Sequence, residues 1–278
     1  MSKTLSVCVA ALLISTAACQ QQNAADNATA PGDIAAAEET IEGTWKADLA
    51  SVQIDEAPSS YLLKDGSYSC STCVPPLTVA ADGAFHPVAD RPYYDAMSVK
   101  IVDAKTVTMV RKKGDRVISE ATTTVSPDGD SLTFDVNDTS TPNAPAVKVK
   151  GSETRVAAAP AGAHAISGSW KTAKYDSVSD EGLTFSFDVE GDTLTMTSPA
   201  GQSYSAQFGG PAVPIKGDTG GTTVAVERVG QAGFRETSTR DAKVVNVTTF
   251  TAGTDGKLAV VSENKRQAST MKYSANKQ

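Results

Sequence analysis

One short signature occurs twice in this chain and constrains its fold more than any other feature. Gly43-Thr44-Trp45-Lys46 returns 125 residues later as Gly168-Ser169-Trp170-Lys171. Ser98-Val99-Lys100-Ile101 matches Thr223-Val224-Ala225-Val226 at the same offset, and Asp128-Gly129 matches Asp255-Gly256 at 127. Arg116-Val117-Ile118 likewise matches Lys243-Val244-Val245. The chain has 2 tryptophans, and both occupy the same place in the repeat. A fixed period of this kind means one structural unit used twice. The copies run over residues 43–157 and 168–278, joined by a small-residue linker at 158–167. Each copy is long enough for one modest core.

Within each copy the apolar period is two. Leu183, Phe185, Phe187 and Val189 alternate with Thr184, Ser186 and Asp188, and Val107 and Met109 alternate with Thr106 and Thr108. Strands with one buried face produce this pattern. Asp65-Gly66, Asp82-Gly83, Gly114-Asp115 and Gly191-Asp192 separate such runs, and pairs of this type suit tight hairpin turns. No stretch reads as a long amphipathic helix. The expectation is an all-β chain of two repeated antiparallel meanders. Each must close as a barrel or fold over as a sandwich to protect its edges.

A Gly-x-Trp on the first strand, then a meander, then an Arg near the last strand, resembles the calycin barrels, the lipocalins and their relatives. The matching residues are Gly43, Trp45 and Arg155 in the first copy, and Gly168 and Trp170 in the second, where Lys272 is the nearest equivalent of the arginine. The resemblance implies a Trp closing each barrel floor with a cation across it. It points to stability more than to chemistry. The layout is also similar to that of two-copy exported bacterial proteins.

The N-terminus reads as an export signal. Lys3, an apolar run from Leu5 to Ile14 and the small residues Ser15 to Ala18 form a signal peptide over residues 1–18. Its apolar run is too short for a membrane-spanning helix, which needs about 20 residues. Cys19 directly after Ala17-Ala18 resembles the lipobox of bacterial lipoproteins and is the expected lipidation site. Residues 19–42 carry few bulky apolar side chains and are expected to form a disordered tether. Gln20 after the cysteine implies, by the same resemblance, an outer-membrane protein facing the periplasm or the cell surface. The net charge is −7, and no basic stripe exists to neutralise phosphates, so nucleic acid is not an expected partner.

Chemistry-bearing residues are few. Of 4 cysteines, Cys8 leaves with the signal and Cys19 takes the lipid, leaving Cys70 and Cys73. In an oxidising compartment a disulfide is the first expectation. A redox motif and a zinc site recruiting His86 are the alternatives, although a second ligand pair for zinc is missing. Copy two has no counterpart of either cysteine. His86 otherwise reads as a surface residue at a strand end. Tyr93 and Tyr94 form either a contact surface or, if strand-like, one core and one exposed residue. With 2 histidines and no Gly-x-Ser-x-Gly turn, no catalytic triad, cofactor or metal site is expected. The functional expectation is a non-catalytic envelope module. It binds a small apolar ligand or envelope component, or alternatively acts as a scaffold for another envelope protein.

Overall fold

The computed structural model describes residues 40–278; the expected signal peptide, Cys19 and nearly all of the expected tether lie outside the described residues. The chain is all-β, built as two nearly closed antiparallel barrels. Among the described residues the helical content is one 3-10 turn, Leu49–Ser51, and one α-turn, Asp180–Leu183. Neither is long and apolar enough to cross a membrane.

Ten strands form the first barrel. A meander runs from Ser59–Lys64 to Val147–Ala157, interrupted between its adjacent edge strands Leu77–Ala80 and Asp82–Pro87. The strand that joins the meander's two ends is Gly168–Val178, which pairs with both Ser59–Lys64 and Val147–Ala157. The second barrel repeats the plan with strands from Thr184–Glu190 to Ser269–Lys277. Here the joining strand is Gly43–Ala47, paired with both ends. Its open edge is bridged at Ser203–Lys216 and Phe208–Val226.

The repeat and the barrels are therefore out of phase by one strand. Each copy begins with a Gly-x-Trp strand that completes the barrel built by the other copy. Trp170 is fully buried in the core formed by Leu63, Tyr68, Val107, Met109 and Leu132. Trp45 is buried in the core of the second barrel, with Phe187, Phe234 and Leu258.

Both tryptophans are held identically. Trp45 Nε1 donates to the Ile41 carbonyl at 2.8 Å, and Trp170 Nε1 donates to the Ile166 carbonyl at 2.9 Å. The indoles thus bury their area without orphaning the ring N–H. The preceding glycines, Gly43 and Gly168, have φ of +114° and +112°. A Cβ on Gly168 would also lie 2.4 Å from the Ala157 carbonyl oxygen, so only glycine fits.

The cations expected over the tryptophans sit across the exchange. The Arg155 guanidinium lies 3.9 Å from the ring centroid of Trp170, not over Trp45. Its nitrogens donate to the carbonyls of Gly129, Ala165 and Ser167. In the second barrel the matching cation is Lys277, 5.6 Å from the centre of Trp45, rather than Lys272. The register explains the difference: Trp45 pairs with Lys277, as Trp170 pairs with Arg155. Lys272 pairs instead with Gln53, several residues away along the same strand.

The linker is part of the fold. Ile166 and Ser167 are fully buried, and Ser167 Oγ accepts from the Leu63 N–H at 2.9 Å. A long ribbon of Val147–Ala157 paired with Gly168–Val178 then crosses from one barrel to the other. Its Trp170 end lies in the first core, while Val149 and Val178 lie in the second. Phe134 and Val136 pack against both cores.

Trp170→Ala and Trp45→Ala should each lower stability by about 3–5 kcal/mol, the usual loss for truncating a buried aromatic side chain. Hydrogen exchange should localise the damage across the exchange. Trp170→Ala exposes amides in Thr106–Lys113 through Ser131–Asp138, and Trp45→Ala exposes those in Gly233–Arg240 through Lys257–Asn264. Damage confined to each tryptophan's own repeat would contradict the exchanged arrangement.

Candidate functional site

The inward faces of the strands change character along their length. In Gly233–Arg240 the buried set runs Phe234, Glu236, Ser238, Arg240. In Lys243–Ala252 it runs Asn246, Thr248, Phe250, Ala252. Cross-strand register brings Phe234 opposite Phe250 and Ser238 opposite Asn246. The first barrel repeats the gradient with Val107, Met109, Arg111 against Ser119, Ala121, Thr123. The tryptophan end of each barrel is thus apolar and the opposite end polar. Bonds between the barrels form at these polar ends: Arg240 donates to Tyr93 Oη, and Arg266 Nη2 donates to the Val74 carbonyl at 2.9 Å.

Where the two polar ends meet, a cavity of about 290 Å³ opens into both barrels. Ala121, Thr123 and Glu153 line it from the first barrel, and Phe187, Glu236 and Phe250 from the second. Phe134, Val136 and Tyr175 form the wall between the two interiors. The Phe134 ring lies edge-on to Tyr175, with centroids 6.2 Å apart. It lies over Gly151, where a Cβ would come within 2.5 Å of the ring. On the second-barrel side, Phe187 stands edge-on to Phe234 and Phe250, each 4.9 Å away, and those two rings stack at 4.7 Å.

This aromatic cavity holds two carboxylates that are almost wholly buried, Glu153 and Glu236. Removing a carboxylate from water is costly without compensating partners. Tyr204 Oη, also on the wall, donates to Glu236 Oε1. Burial pushes the Tyr61 hydroxyl well above its ordinary range, and the negative charge of Glu153 adds to the shift. Tyr175 is raised for the same first cause, with Glu56 and Glu153 adding to it. Tyr68, in the first core, is raised mainly by burial. An apolar chamber with a few fixed polar points is the usual form of a small-molecule site.

Of the candidate site residues singled out by the sequence, Tyr93 lines this cavity and the others fall around it. Tyr93 lines the cavity and touches the other barrel, with the Arg240 guanidinium 4.6 Å from its ring centre. Tyr94 turns the other way and packs against the first core, 5.3 Å from the guanidinium of Arg111. The pair therefore makes contacts within the molecule. Cys70 and Cys73 stand as a disulfide pair with Cα atoms 5.4 Å apart. His86 Nε2 is 2.8 Å from Asp82 Oδ1 on the surface, and this bond lowers the Asp82 pKa. His164 contacts the Asp103 carbonyl at 2.7 Å in the docked linker. Neither histidine lines the cavity.

The sequence reading missed Glu153, Glu236 and Tyr204. Their signal was present as an interruption: Glu236, Ser238 and Arg240 follow Phe234 at inward positions where a closed core would be apolar. The chain was compared with protein-family models, with curated proteins and with solved structures, and nothing matched.

In a spectrophotometric titration, Tyr61, Tyr68 and Tyr175 should stay protonated above pH 10, the ordinary value, while the protein remains folded. Their raised pKa values mean that the folded state holds protons which the unfolded state releases. The contribution of these tyrosines to stability should therefore be constant below about pH 10 and be lost as pH rises beyond it. Ionisation of all 7 tyrosines near pH 10 without unfolding would contradict this burial.

Proposed function

We propose that this chain is an exported lipoprotein whose two-barrel body binds one small, predominantly apolar ligand in the cavity shared by the barrels. The observation that carries the reading is the composition of that cavity. Aromatic rings drawn from both barrels line it together with aliphatic side chains such as Val136, Val149 and Ile215, and of the polar groups beside them Glu236 is held by Tyr204. An apolar ligand entering it would leave water for ring faces that already lie in place, which favours binding without reordering the walls. At about 290 Å³ the chamber is near the lower bound of roughly 300 Å³ for small-molecule sites, so the ligand is small. The lipid on Cys19 would hold this body at a membrane, consistent with the lipobox-like sequence that precedes the mature chain.

The neutral fluorophore N-phenyl-1-naphthylamine tests the reading directly. The purified protein, as matured by the expressing cell, should bind one molecule per chain with enhanced fluorescence. Val136→Trp, which places an indole in the wall, should weaken that binding about tenfold while the protein stays folded. No fluorophore binding and no co-purified small molecule by native mass spectrometry would sink the proposal. For the anchor, Cys19→Ser should move the protein from the membrane fraction to the soluble periplasmic fraction; unchanged fractionation would refute lipidation there.

A further inference from the structure

A second, smaller cavity of about 130 Å³ adjoins the first at the seam between the barrels. The two share Tyr93, Asp138, Ser140, Arg240, Val245 and Asn246 as a common wall. The smaller one is lined by Arg91, Arg111, Arg240 and Arg266, four of the chain's eight arginines, against the single carboxylate of Asp138. Asp138 Oδ1 already accepts from the Ser140 N–H at 2.7 Å. In a chain of net charge −7, this is a local reversal of sign.

The fold holds three of these guanidiniums, those of Arg91, Arg240 and Arg266, in place with neutral groups. Arg91 donates to the carbonyls of Pro75 and Pro76, and Arg266 to that of Val74, all in the segment directly after the Cys70–Cys73 pair. Arg240 donates to Tyr93 Oη and to Thr222 Oγ1 at 2.7 Å. Among the described residues, Arg91, Arg240 and Arg266 form no ion pair with a carboxylate. Arg240 is about nine-tenths buried, and the Nε atoms of Arg91 and Arg240 are buried without hydrogen-bond partners. Cations positioned by carbonyls and hydroxyls keep their full charge available, and the guanidinium fork suits the oxygens of a carboxylate or phosphate.

We infer that the arginine cleft holds the anionic head group of an amphiphile whose apolar chain lies in the adjoining aromatic cavity. This inference deepens the proposed function and rests on it, since it gives that ligand a charge and an orientation. The apolar tail points into the barrel interiors, and the head lies at the seam, near the disulfide segment.

Displacement of N-phenyl-1-naphthylamine by three twelve-carbon ligands separates the head-group inference from the underlying reading. Dodecanoate should displace the fluorophore at a concentration at least tenfold lower than dodecanol or dodecyltrimethylammonium. Dodecyl phosphate should match dodecanoate, because both present anionic oxygens. The double variant Arg91→Gln/Arg266→Gln should abolish the advantage of dodecanoate while leaving fluorophore and dodecanol affinity within twofold. Asp138→Asn, which keeps the bond to Ser140 and removes the one carboxylate, should increase the advantage severalfold. Equal potency of dodecanol and dodecanoate on the native protein would overturn the inference and leave the cavity reading standing. So would an advantage that survives in the double variant or is unchanged by Asp138→Asn. Failure of every ligand and of the fluorophore to bind would overturn both.

Discussion

The exchange of the two Gly-x-Trp strands is the constraint on which the rest of the structure depends. Trp170 is carried on a strand of the second copy but is buried among strands of the first, and Arg155 covers it from the first copy. Trp45 and Lys277 make the reciprocal arrangement. Each copy of the repeat therefore lacks its own closing strand, and an open meander would present unpaired backbone along two edges. Closing each barrel with the other's strand removes those edges, so the two barrels depend on one another for completion. The docked linker follows from the same arrangement. Ile166 must reach the first core to accept the hydrogen bond from the Trp170 ring, so residues that look like a spacer are drawn into the interior.

The exchange also sets the position of the cavity. The ribbon of Val147–Ala157 and Gly168–Val178, which belongs to the first barrel, reaches with Val149 and Val178 into the core of the second and so ties the two barrels together. Buried polar atoms need partners: Glu236 finds one in Tyr204 and Asn246 one in Ser262, all in the second barrel, while Arg240 also reaches across the seam. Tyr93 from the first barrel meets Arg240 from the second, and Val74 meets Arg266. What remains between the ends is a chamber that neither barrel would enclose by itself. Aromatic rings contributed by the second copy line this chamber, and the arginines gather in the smaller cavity that adjoins it.

Much of the fold was legible along the chain. Alternation in Leu183 to Val189 and in Thr106 to Met109, with Asp-Gly and Gly-Asp turns between runs, marked an all-β meander. The repeat marked two of them. The structural roles of Gly43, Gly168 and the tryptophans were legible through the resemblance alone; the structure gives both glycines a positive φ and buries each indole in the barrel built by the other copy. The partner of each tryptophan was less accessible. Lys272 and Lys277 both lie near the end of the second copy, and register decides which one crosses the ring; only the paired strands state that register.

The site was legible only as an interruption of the pattern. Polar residues at inward positions say that an inner face is not wholly apolar, and nothing local says what they face. Glu153 and Glu236 are 83 positions apart in the chain and share one cavity wall. The amino-acid order alone determined the strand-forming pattern and most of the turns, because alternation and positive φ are properties of a few consecutive residues; Asp82-Gly83, which reads as a turn, instead begins the strand Asp82–Pro87. Tertiary structure decided which copy each tryptophan strand completes, and thereby the common cavity and the gathering of Arg91, Arg111, Arg240 and Arg266. A closing strand pairs equally well by backbone hydrogen bonds in either barrel. The choice between them rests on the path of the linker and on packing between distant residues, which no local pattern encodes.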